Sequence, residues 1–144
     1  ASAVGWCTAS SGEQLATLTV SLTSTAPADA ATSLPRYITG GGSFGVDPGV
    51  ARTVAYLYLP EGSELVSSTS GGVGSTPGFG QETHDGRPVL VWETNLNPGE
   101  TATATIQVRT PQTPTLEAIM TPTIGGSGVV ASGGCPLTTP ADKG

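Results

Sequence analysis

The sequence has 144 residues, which fits one domain, and carries a formal net charge of -6 with a pI near 4.4. Charged residues make up 11%, while Gly (21), Pro (12), Thr (22) and Ser (14) dominate and Lys occurs once. This balance excludes a basic nucleic-acid binder and a Glu/Lys-rich coiled coil or bundle, and no apolar run reaches the roughly 18 residues of a membrane span.

Residues 1–12 are small and polar around Trp6 and Cys7. In Glu13–Thr25, Leu18, Val20 and Leu22 alternate with Thr17, Thr19, Ser21 and Thr23. A period of two with one apolar and one hydroxyl face predicts a half-buried strand. Ala26–Ser33 reads as a loop or a single helical turn after Pro27. Leu34–Gly45 ends in a glycine-rich loop. Val50–Pro60 predicts a strand with Ala51, Thr53, Ala55, Leu57 and Leu59 facing the core. Its other face carries Tyr56 and Tyr58, whose hydroxyls can reach a partner or solvent.

Pro60-Glu61-Gly62 marks a turn, and Ser63–Thr69 a short strand around Leu65. His84-Asp85-Gly86 separates two extended runs, Gln81–Thr83 and Arg87–Asn95. Asp-Gly in that position predicts a hairpin, because both residues tolerate positive φ. In the second run Leu90 and Trp92 share a face, and Trp92 reads as core. Asn97-Pro98-Gly99-Glu100 predicts a turn into Thr101–Thr110, where Ala102, Ala104, Ile106 and Val108 line one face. Thr115–Thr123 predicts a last strand with Leu116, Ala118 and Met120 at spacing two. Pro111, Pro114 and Pro122 confine its pairing to an edge.

The expected fold is therefore all-β: an immunoglobulin-like antiparallel sandwich of about seven strands over residues 1–124. A closed barrel is the alternative. Residues 125–144 are expected to form a mobile Gly/Pro-rich tail pinned by Cys135. Cys7 and Cys135 show no zinc-ligand spacing, and one disulfide in an oxidising compartment fits them. It would close a loop of 129 residues, worth about 5 kcal/mol in the chain-entropy account. The expected localisation is extracytoplasmic.

No catalytic or cofactor motif emerges, and no cofactor is expected. His84 is the one histidine, and Asp85 beside it points elsewhere in a turn, so the pair makes no obvious dyad. Ser43 in G-G-G-S-F-G misses the G-x-S-x-G register. Gly40-Gly41-Gly42 lacks the Lys and the following helix of a phosphate cradle. Asp47 is the candidate for an irregular calcium site built with backbone carbonyls, but no loop motif supports it, and no metal site is assigned. Tyr37 and Phe44 flank the glycine loop and are the candidate ligand-binding residues, for a sugar ring stacked on an aromatic surface.

The motifs L-T-S-T-A-P-A-D-A-A, L-P-R-Y-I-T-G-G-G-S-F-G-V-D-P-G, T-H-D-G-R-P-V and L-N-P-G-E-T-A-T occur in this order. Over roughly residues 7–124 the chain resembles the C-terminal β-rich part of an uncharacterised actinobacterial family, domain of unknown function 4012. That resemblance implies a long envelope protein with an N-terminal membrane anchor, of which this chain would be an extracytoplasmic part. It implies no reaction and supplies no catalytic residues. The position of Cys7 before the opening strand matches the family pattern and supports the disulfide. The expected function is a non-enzymatic structural or interaction module, with a carbohydrate-binding accessory module as the alternative. The expected partner is an envelope protein or polysaccharide.

Overall fold

The computed structural model describes residues 2–8 in their backbone, and residues 14–72, 74 and 78–111 in full. The described chain is built mostly of antiparallel strands: β1 (Ser2–Thr8), β2 (Gln14–Thr23), β3 (Ala51–Tyr58), β4 (Glu64–Gly71), β5 (Gly80–His84), β6 (Arg87–Leu96) and β7 (Thr101–Thr110). Two four-residue helices, α1 (Ala30–Ser33) and α2 (Arg36–Thr39), and a 3-10 turn at Gly40–Gly42 lie between β2 and β3.

One sheet has the order β1-β2-β7-β4 and the other β3-β6-β5. Six of the seven expected strands are present as β2–β7, three in each sheet, and β1 is added outside β2. β1 pairs in register from Ser2↔Val20 to Thr8↔Gln14, where the sequence suggested only small polar chain. The expected strand Thr115–Thr123, the tail and Cys135 lie outside the described residues, as does the Cys7 side chain. No disulfide is seen among the described residues.

Local chemistry explains most of the turns. Asp85 (φ 48°) and Gly86 (φ 75°) adopt the paired positive φ of a type I′ turn, which matches the twist of the hairpin β5–β6. At the β6–β7 corner, Pro98 fixes one φ and Gly99 takes φ 79°. Asn97 donates its backbone and side-chain N–H groups to the Glu100 carboxylate at 2.8 and 3.1 Å. Ser24 clamps this corner: its N–H donates to the Glu100 carbonyl, and its carbonyl accepts from Gly99. In β4 the register shifts between Leu65 and Ser67, a bulge on an edge strand that turns Val66 out to solvent.

The core lies between the sheets. β7 is central in its sheet and buries Ala102, Ala104, Ile106, Val108 and Thr110 on one face. β6 is central in the other and buries Leu90, Trp92, Thr94 and Leu96. Ala16, Ile106 and Val108 from one layer pack with Leu57, Leu59 and Leu90 from the other. Trp92 is fully buried and clusters with Leu96, Ala102 and Ala104, whose small β7 side chains leave room for the indole. Phe79 covers it at a centroid distance of 6.3 Å.

The outer face of β2 and β7 is a hydroxyl ladder. Thr19 pairs with Thr105 at 3.1 Å, Ser21 with Thr103 at 3.0 Å and Thr23 with Thr101 at 2.8 Å. These cross-strand pairs satisfy one another and leave that face without charge along three successive positions. Inside, the Thr94 hydroxyl is buried with no partner among the described residues. An orphaned buried hydroxyl costs stability, and valine has nearly the same shape. Thr94→Val is therefore expected to stabilise the fold by about 1 kcal/mol. A thermal melt checks this, and a lowered midpoint would mean that the hydroxyl has a partner.

Candidate functional site: an aromatic sheet face and a glycine-loop cleft

Alternation along β3 puts Leu57 into the core and turns Val54, Tyr56 and Tyr58 outward. Tyr56 and Tyr58 remain 60% and 56% exposed. β3 is an edge of its sheet, so these rings border an unpaired strand edge among the described residues. Across the sheet, the Tyr56 row continues through Val91 to Gly80. A Cβ on Gly80 would meet the half-buried Val91 side chain at an ordinary contact distance of 3.5 Å. The result is a shallow apolar strip bounded by tyrosine.

His84 ends β5, and its ring meets Tyr58 edge-to-face at 5.9 Å. Its Nε2 lies 3.5 Å from the Asp85 carboxylate, with both side chains largely exposed. The contact props one wall of the strip. Other charged groups are engaged on the surface: Arg52 with Glu93 at 3.0 Å, and Arg109 with Glu64 at 3.0 Å. Exposed pairs of this kind add little stability.

The loop between α1 and β3 carries the two residues singled out in the sequence. Tyr37 is 85% exposed on α2, and Phe44 is 76% exposed just after the 3-10 turn. The glycines do more than loosen this segment. Gly40 has φ 66°, and a Cβ there would lie 2.6 Å from the Phe44 ring. Phe44 is thus seated against the bare α-carbon of Gly40. Gly41 gives Arg36 a similar seat, since a Cβ on it would lie 2.5 Å from the guanidinium Nε.

Between this loop and the β6 end of the second sheet lies a shallow, open depression of about 390 Å³. Gly42, Gly45 and Asp47 form its loop side, and Asn95 and Asn97 its sheet side. Arg52, on the neighbouring strand, approaches Gly45. The backbone N–H of Asn95 donates to the Gly74 carbonyl at 2.8 Å, which fixes the strand here. The side-chain Oδ1 of Asn95 is buried and accepts no hydrogen bond from the described residues. Asp47 joins amides and not further carboxylates. Among the described residues there is no group of three or more His, Cys, Asp or Glu side chains that could hold a metal ion.

A second, larger opening of about 780 Å³ separates the edge strands β4 and β5, with Leu59, Leu65, Val89 and Leu90 in its wall. Asn95 and Asn97 escaped sequence reasoning, since an outward polar residue in a strand and a turn asparagine carry no distinguishing signal. The structure places Asp47 beside them, but not Tyr37. No helix among the described residues is long and apolar enough to cross a membrane. No family model, curated protein or solved structure matches this chain.

Proposed function

We propose that this chain is a non-enzymatic extracytoplasmic interaction module of a larger actinobacterial envelope protein, an immunoglobulin-like sandwich closed by a Cys7–Cys135 disulfide. The observation that carries the reading is the exposed strip of Val54, Tyr56 and Tyr58 on an edge strand, with the half-buried Val91 paired beside Tyr56. Tyrosine combines large contact area with a polar tip and low conformational cost, which makes it a frequent anchor of binding surfaces. The engagement of His84 with Tyr58, Glu64 with Arg109 and Glu93 with Arg52 supports a structural use of these titratable groups rather than a catalytic one. The resemblance to domain of unknown function 4012 supports the envelope setting, and the low Lys content and the even count of two cysteines support an oxidising one.

Cosedimentation with purified actinobacterial envelope tests the module. The 144-residue chain is expected to pellet with envelope fragments. Tyr56→Ala combined with Tyr58→Ala should cut the bound fraction several-fold, because truncating central aromatic anchors commonly costs more than about 1 kcal/mol each. No pelleting, or pelleting unchanged in the double variant, would remove this reading. Thiol titration of the unreduced, denatured chain tests the disulfide separately: no reactive thiol is expected, and two would overturn it.

A further inference from the structure

We propose that β3 is a self-pairing edge: two copies of this chain join β3 to β3, antiparallel about a two-fold axis, and merge two three-stranded sheets into one. The proposal goes beyond the interaction-module reading, because its partner is a second copy and not the envelope. It starts from the unequal protection of the edges. Natural sheets guard their free edges with short strands, bulges, prolines or charges. Of the edge strands described with their side chains, β4 carries the bulge between Leu65 and Ser67, and β5 has five residues with Glu82 at its centre. β3 lacks these devices apart from Arg52, which is held by Glu93. It runs eight residues, Ala51–Tyr58, keeps an unbroken register with β6 and contains no proline. Val54, Tyr56 and Tyr58 are exposed on its outer face and Thr53 on the other, so solvent reaches the strand from both sides.

The free backbone groups of that edge can be named. Leu59 donates its N–H to the Pro88 carbonyl of the β6 strand at 2.9 Å. Backbone groups alternate sides along a strand, so Ala51, Thr53, Ala55 and Leu57 also face β6. Arg52, Val54, Tyr56 and Tyr58 therefore point their N–H and C=O groups away from the sheet, where no strand lies among the described residues. An antiparallel copy centred on Ala55 uses all of them. Val54 then lies opposite the partner's Tyr56, and Arg52 opposite the partner's Tyr58, each pair exchanging two hydrogen bonds. A register centred on Tyr56 sets Arg52 against the partner's Pro60, which has no N–H. One centred on Val54 sets Tyr58 against the partner's Val50, outside the strand. The side chains favour the Ala55 register too. A ring beside a β-branched residue is a favourable cross-strand pair, and a guanidinium packs on a tyrosine face. No like charges meet, since Arg52 is the one charged residue of β3. One sequence thus supplies both sides of every pair, which selects a second copy as the occupant. Such an isologous contact closes at two copies. Both strips of Val54, Tyr56 and Tyr58 then lie on one continuous face.

Sedimentation equilibrium of the 144-residue chain, without envelope, tests this. At about 0.15 M salt the charge of -6 on each copy is screened beyond about 8 Å. The apparent mass is expected to rise with concentration from 14.3 kDa and to level at twice that value. Val54→Pro removes an outward N–H and no bond to β6, and is expected to stay monomeric at every concentration. Tyr58→Arg sets a second guanidinium opposite the partner's Arg52. It should raise the dissociation constant about tenfold, because the repulsion occurs twice per dimer. Adding Arg52→Glu to that variant brings opposite charges face to face and should recover most of the loss. Thermal melts establish that each variant folds, and the charge variants decide alone if proline unfolds the strand. A parent chain that stays monomeric, its edge left free or covered within the chain, would overturn the proposal. So would species larger than two copies, dimerisation unchanged in a folded Val54→Pro, or no recovery in the double variant. A monomer that still pellets with envelope would remove the self-pairing and leave the module reading standing. A dimer that does not pellet would do the reverse.

Discussion

Trp92→Ala is expected to lower the unfolding free energy by about 3–5 kcal/mol, enough to leave much of the protein unfolded at ordinary temperature. The indole is fully buried between the sheets, in a cluster with Leu96, Ala102 and Ala104. Its β7 neighbours are already alanines, so nothing on that strand can extend into the space the ring leaves. The cost of truncating a large core residue grows with the cavity that remains, and two hydrogen-bonded sheets collapse poorly. Trp92→Phe should cost less, about 1–3 kcal/mol, because most of the volume is kept. The indole Nε1 also has no acceptor among the described residues, so phenylalanine loses no hydrogen bond seen there. Urea denaturation followed by far-UV circular dichroism measures both. Alanine and phenylalanine variants of equal stability would show that the ring does not fill the interface between the layers.

The second large effect is expected at Gly74. This residue has φ 75°, and its carbonyl accepts the Asn95 N–H. A Cβ there would overlap the Asn95 carbonyl oxygen, which belongs to the backbone and cannot rotate away. Gly74→Ala therefore combines a left-handed backbone cost of about 1–3 kcal/mol with forced separation of two chain segments. A total of about 3 kcal/mol is expected. Gly78 is the control: φ is 82°, but nothing lies within 4 Å of a Cβ. Gly78→Ala should cost about 1 kcal/mol, from the dihedral alone. Equal losses in the two variants, measured by denaturant titration, would mean that the approach to Asn95 is unimportant.

Much of the local structure could be read from residues alone, because its causes are local. The alternation of Leu18, Val20 and Leu22 with hydroxyl residues marks β2, and Ala102–Val108 marks the core face of β7. Asp85-Gly86 marks the hairpin, and Asn97-Pro98-Gly99-Glu100 the corner into β7. What escaped was non-local. Nothing in the small residues of Ser2–Thr8 signals a strand, because that segment is ordered by pairing with β2, not by a pattern of its own. Gly40–Gly42 reads as flexible chain, yet these glycines are needed at positive φ, and two of them give Phe44 and Arg36 close packing. Phe44 and Asp47 were visible as residues of interest. The cleft was not, because Asn95 and Asn97 come from the far end of another strand and meet the loop only through the fold. Sheet order is invisible for the same reason, since β7 chooses β2 and β4 across long stretches of chain.

Residue-resolved amide exchange by NMR probes the layered arrangement most directly. Each sheet has a central strand, β6 in one and β7 in the other, and each packs against the opposite layer. The slowest-exchanging amides are expected within Val89–Leu96 and Ala102–Thr110 together, with β5 exchanging faster at its exposed edge. Strong protection confined to one of those two strands, with the other exchanging like a loop, would contradict a single core shared by two sheets.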